Sequence, residues 1–189
     1  MTSRHAMLSY KRSRDPRRTF EVLEFLKAKG ILEESFDLSK YMGAVATQFQ
    51  DNLEEEGLRL PKVMPESSVS SYWYFITNLT LYSNFKPSYL SRCVKLITEF
   101  CNRFNLPPED VFRYDQECIS RRNSLLRELG YKNYYSHPLY ISHLLVENHP
   151  ERIFFTEKII DAIKSSRISY PLRILDIGCG MGGPLHYIS

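Results

Sequence analysis

Ser88-Tyr-Leu-Ser-Arg-Cys-Val-Lys-Leu-Ile-Thr-Glu-Phe-Cys-Asn-Arg-Phe104 has the periodicity of an amphipathic helix. Tyr89, Leu90, Cys93, Val94, Ile97, Phe100, Cys101 and Phe104 recur at intervals of three and four. On a helix those positions share one side and form a single apolar stripe. Ser88 stands where a cap belongs. A stripe this wide has to be buried against a neighbour, so the flanking segments are expected to supply helices as well.

They do so in both directions. Asp15-Pro16 reads as an N-cap and first helical position, followed by Phe20, Leu23, Phe25 and Leu26, with Gly30 as the stop. A second helix is expected from about Ser35 or Asp37, with Leu38, Tyr41, Met42, Val45, Phe49 and Leu53 in register and Gly57 closing it. Pro61 and Pro65 mark a loop. Residues 66–84 are ambiguous, because Trp73, Tyr74, Phe75, Ile76 and Thr77 favour a strand. Length and helical neighbours decide for a helix. After Pro107-Pro108, Val111, Phe112, Cys118, Ile119, Leu125, Leu126 and Leu129 make another stripe, ended by Gly130. Pro150 is expected to open a last helix to about Ser166.

The composition suits such a domain. Hydrophobic residues make up 43% and charged residues 25% of 189, which excludes disordered, collagenous and membrane-spanning chains. Net charge is +3, too small for whole-surface attraction to nucleic acid. Four cysteines at 93, 101, 118 and 179 contain no Cys-x-x-Cys pair and no zinc spacing. Four reduced thiols, no secretory leader and a cytoplasmic location are the expectation. The first eighteen residues hold six basic side chains against Asp15 alone. They read as a basic, solvated arm, with a transit peptide or a phosphate contact as alternatives. The acidic run of Glu33, Glu34, Asp37, Asp51, Glu54, Glu55 and Glu56 reads as a solvated helix side.

Histidines 137, 143 and 149 fall six apart, so successive rings point about 120° apart on a helix. No metal site is expected from them. The tyrosines around Tyr131-Lys-Asn-Tyr-Tyr135 and Tyr140 offer two readings, an aromatic lip over a ligand or an anchor holding a loop to the core. Asn78-Leu79-Thr80 fits a glycosylation pattern but has no secretory route to make it count.

The character changes at Arg173-Ile-Leu-Asp-Ile-Gly-Cys-Gly-Met-Gly-Gly-Pro-Leu-His-Tyr-Ile-Ser189. Ile174, Leu175 and Ile177 read as a short buried strand, glycines 178, 180, 182 and 183 as a tight loop, and Leu185 and Ile188 as the start of a helix. Strand, glycine turn and helix N-terminus present backbone N–H groups to a nucleotide. Gly178-x-Gly180-x-x-Gly183 formally fits a dinucleotide fingerprint. Asp176 argues against it, because a carboxylate beside the turn repels a pyrophosphate. S-adenosylmethionine has no phosphate and brings a cationic end, which a carboxylate tolerates.

Leu175-Asp-Ile-Gly-Cys-Gly-Met-Gly182 resembles the first motif of class I S-adenosylmethionine-dependent methyltransferases. Its continuation Gly182-Gly183-Pro184 is most similar to the sterol and tocopherol methyltransferases, which act on small lipophilic molecules. The resemblance implies that Gly178, Cys179, Gly180 and Gly182 wrap the methionine end of the cofactor while Asp176 supports the loop. It covers about residues 172–189.

The expected architecture is therefore mostly α. A basic arm (1–18) and a helical N-terminal domain (19–149) lead to the start of a Rossmann-like methyltransferase domain (150–189). Only 13 residues follow Asp176, whereas one βαβ unit takes about 30. The ribose-holding acidic residue and the catalytic region of the parent fold have no counterpart here, and no catalytic base or nucleophile is assigned. The expectation is an N-terminal portion of a small-molecule methyltransferase, inactive by itself, whose partners are a methyl acceptor and a complementing protein chain. The alternative is a helical interaction module carrying a vestigial glycine loop.

Overall fold

The computed structural model describes residues 23–30 except 25, residues 32–83 and residues 88–165, with backbone alone for 82, 83, 88, 89 and 148–160. The basic arm, the stretch from Pro16 to Val22 and the whole glycine loop lie outside the described residues. The chain divides into two compact units, 1–41 and 42–189. The described part is mostly helical: α1 Leu38–Glu55, α2 Glu66–Ser83, α3 Ser88–Phe104, α4 Pro108–Tyr134 and α5 Pro138–Ser165. No helix among the described residues is long and apolar enough to cross a membrane.

In the first unit the helical residues from Leu23 stop where expected. Gly30 takes φ 64° and its N–H donates to the Lys27 carbonyl at 2.8 Å. Asp37 then caps α1: its Oδ1 accepts from the Ser39 N–H at 3.0 Å and the Ser39 hydroxyl at 2.7 Å. These bonds hold the exposed Asp37 carboxyl below its ordinary pKa. Beside it, Phe36 stacks on Tyr41 with ring centroids 4.8 Å apart.

The far end of α1 closes by backbone geometry. Gly57 takes φ 79°, its N–H donates to the Glu54 carbonyl at 3.0 Å, and the Leu58 N–H reaches the Leu53 carbonyl at 2.9 Å. This 5→2 and 6→1 pair is a Schellman motif, which needs the left-handed residue that glycine supplies without strain. The acidic run is exposed throughout, as a solvated side should be.

In the second unit α2, α3, α4 and α5 pack so that every pair among them touches. The aromatic centre joins α1, α2 and α4. Phe112 meets Tyr72 edge-on at 5.3 Å and Phe75 at 5.7 Å, and Phe75 meets Phe49 at 5.4 Å. Phe49 and Phe112 have no exposed surface. On α3, Leu90, Cys93, Val94, Ile97, Phe100 and Cys101 of the expected stripe are all buried. The side chains of Ser88 and Tyr89 lie outside the description.

The 66–84 segment is the helix α2, and its burial explains the mixed signal. Every residue from Ser71 to Leu81 except Trp73 is buried. A helix covered nearly all round has no polar side to betray its period. Its polar members satisfy themselves internally: the Thr77 and Thr80 hydroxyls and the Asn78 amide donate to carbonyls one turn back, at 2.7, 2.7 and 2.9 Å. Asn78 is 3% exposed, which closes it to a glycan.

Two expectations need correction. Pro150 does not open a helix, because α5 begins at Pro138 and runs through position 150. A proline inside a helix forgoes one backbone bond without always ending the helix. Ile119 is not in the buried stripe of α4; it is 41% exposed.

Gly130 ends the regular run of α4 where expected. Its φ of 70° and ψ of 161° are non-helical, and a last helical turn to Tyr134 follows. A β-carbon there would meet nothing within 4 Å, so any cost of substitution is backbone strain alone. Gly130→Ala is expected to destabilise the chain by about 1–3 kcal/mol. Equal urea midpoints for variant and parent would refute this.

Candidate functional site

Asp115 falls on the buried stripe of α4, four residues after Val111 and three before Cys118. It has no exposed surface. A carboxylate so placed needs donors, because burying it unpaired is very costly. Two helices supply them. From α2, the Ser71 hydroxyl donates to Asp115 Oδ2 in a short hydrogen bond. From α5, His143 Nδ1 lies 2.9 Å from Asp115 Oδ1. The other ring nitrogen, Nε2, lies 3.6 Å from Glu147 Oε2, one turn further along α5. The cluster therefore joins α2, α4 and α5 through a carboxylate, a hydroxyl and an imidazole held between two acids.

Local sequence places each group. On α5, Leu139, Ile141, Ser142, Leu145 and Val146 are buried, and His143 lies among them with a side chain 14% exposed. The spacing of His143 and Glu147 sets their side chains on one side of the helix. His137 has a different task. Its Nδ1 accepts the Leu139 N–H at 3.3 Å, and its carbonyl accepts from Tyr140 and Ile141, so it caps α5. The side chain of His149 lies outside the described residues. Among the described residues no group of His, Cys, Asp and Glu could hold a metal ion.

A second cluster lies where α4 meets α5. Cys118, Leu125, Tyr134 and Leu139 form its buried centre, with Tyr140 packed against it. Tyr134 and Tyr140 are 4.6 Å apart, and Tyr135 and Tyr140 5.0 Å. Rings this close occupy one another's faces and leave no slot between them. The anchoring reading thus fits Tyr134, while Tyr131 and Tyr135 remain 69% and 54% exposed. Burial, with the nearby Cys118, raises the Tyr134 hydroxyl to about 12.

Thiols at 93, 101 and 118 are free and buried. Burial pushes Cys93 up to about 12, and burial with the charges of Glu109 and Asp110 does the same for Cys101. Cys118 is raised as well, chiefly by burial. The thiolate is the reactive form, and at pH 8 a thiol of pKa about 12 is only about 0.01% ionised. Iodoacetamide is therefore expected to leave these three untouched in the native chain and to modify them in denaturant. Native modification of Cys93 or Cys101, read by peptide mass, would contradict this.

The glycine-loop residues singled out by sequence, Asp176, Gly178, Cys179, Gly180 and Gly182, lie outside the described residues. Sequence reasoning missed Asp115 and gave His143 no role. The available signal was a polar residue in register with an apolar stripe.

No family model, curated protein or solved structure matches the chain.

Proposed function

We propose that the chain joins a helical domain to the start of an S-adenosylmethionine-dependent methyltransferase domain whose acceptor is a small lipophilic molecule. The single observation that carries this reading is the run Leu175-Asp-Ile-Gly-Cys-Gly-Met-Gly182. Gly178, Cys179, Gly180 and Gly182 would lie against the methionine end of the cofactor, and Asp176 would steady the loop. When bound, the cofactor supplies a methyl group activated on a sulfonium. The helical domain would cover the acceptor and keep water from it.

Calorimetric titration of the chain with S-adenosylmethionine tests the reading. Weak, saturable binding that Asp176→Ala abolishes supports it. Preference for NADH, or no binding of S-adenosylmethionine at all, would remove it.

A second reading is a helical interaction module in a reducing compartment, with a protein chain as partner. The four mutually packed helices with their own core favour it, as do the exposed Trp73, Tyr131 and Tyr135. Deleting residues 167–189 separates the two. A stable product that still captures its partner supports the module, and loss of solubility supports the methyltransferase.

A further inference from the structure

We propose that residues 131–136 form a strap, hinged at Gly130 and latched by Tyr134, that lifts off the seam between α4 and α5 while the rest of the helices stay folded. The strap is a conformational device of the helical part and does not depend on what the glycine loop binds.

The hinge is a matter of backbone geometry. Gly130 is exposed, and its φ of 70° with ψ of 161° lies where essentially only glycine goes. The kink divides α4 into a long helix before it and a single turn after it. A β-carbon at position 130 would meet nothing within 4 Å, so the chain has room to turn there. The corner carries its own backbone bonds. The N–H groups of Tyr135, Ser136 and His137 donate to the carbonyls of Tyr131, Asn133 and Tyr134 at 3.3, 3.3 and 3.2 Å. All three bonds lie within residues 131–137, so they need not break when the corner moves.

The latch is one side chain. From Tyr131 to Ser136 every residue is exposed except Tyr134, which is 4% exposed. Its ring enters the cluster made by Cys118 and Leu125 of the long part of α4 and Leu139 of α5. Tyr140 backs that ring at 4.6 Å and meets Tyr135 at 5.0 Å. The Tyr134 hydroxyl lies 3.9 Å from Cys118 Sγ, a weak bond because sulfur is a poor donor and acceptor. The long part of α4 is fastened far better, through Val111, Phe112, Asp115, Cys118 and Leu125. A region held by few buried contacts opens at a lower free energy than the whole fold. Once Tyr134 is out, Cys118, Leu125 and Leu139 meet solvent, and the seam shows an apolar face that the closed strap hides.

Limited digestion of the full chain with chymotrypsin tests the strap. The protease cuts after aromatic residues and needs several residues extended, so a folded tyrosine resists it. Cuts after Tyr131, Tyr134 or Tyr135 are expected before cuts after Tyr72, Phe75 or Phe112. Their rate should stay flat in urea below the unfolding transition, because a local opening exposes little new surface. Tyr134→Ala should speed the cuts after Tyr131 and Tyr135 by about tenfold or more, with the cuts after Phe75 and Phe112 unchanged. Tyr131→Ala, which removes an exposed ring, should leave the cut after Tyr135 at the parent rate. A corner that resists chymotrypsin as long as Phe75 and Phe112 do would overturn the proposal. So would cuts at the corner that rise with urea in step with those two. Equal acceleration at all of these sites in Tyr134→Ala would overturn it as well, since Tyr134 would then hold the whole fold and not a strap.

Discussion

Replacing Phe112 with alanine is expected to cost about 3–5 kcal/mol. Its ring has no exposed surface and packs edge-on against Tyr72 and obliquely against Phe75. Removing it takes away the transfer energy of the ring and leaves a cavity between α2 and α4, which can relax only in part. Domains are stable by only about 5–15 kcal/mol, so this single change is expected to consume a large fraction of the total. Phe112→Leu keeps more of the volume and should cost less. Urea unfolding followed by circular dichroism measures both. A loss below about 1 kcal/mol for Phe112→Ala would mean that the three rings are not the centre of the core.

The second large effect belongs to the polar cluster. Asp115→Ala is expected to cost about 3–5 kcal/mol, the range for removing one member of a buried charged pair. The reason differs from that at Phe112. Alanine fits easily, but the Ser71 hydroxyl and His143 Nδ1 lose their acceptor in a place water does not reach freely. Asp115→Asn retains an acceptor and should lose only about 1–3 kcal/mol. A cycle with Ser71→Ala tests whether the two act as a unit, with a coupling of about 0.5–3 kcal/mol expected. Additive losses in that cycle would show that α2 is not tied to α4 through this bond.

Most of the helical layout could be read from the residues. α1 and α3 announce themselves because one side is apolar and the other is not, and Gly30 and Gly57 stop helices through the positive φ that only glycine adopts without strain. α2 was harder to read because Ser71–Leu81 is nearly all interior. Pro150 misled because its missing N–H is a local signal, while α5 is set over 28 residues. Asp115 and His143 were illegible for a different reason. A lone acid or imidazole looks the same in sequence whether it faces water or a partner from another helix. What distinguishes them is the meeting of Ser71, Asp115 and His143, which lie 44 and 28 residues apart in the chain.

The three interior sulfurs have a kinetic meaning as well. Each stays dark to alkylating reagents until the backbone around it opens, so each is a clock for one region. Cys93 and Cys101 time α3, and Cys118 times α4 where it holds the tyrosine cluster. If the bundle opens all at once, the three clocks run together. If the end of α4 beyond Gly130 comes loose first, Cys118 runs ahead, and the difference in rate gives the free energy of that partial opening.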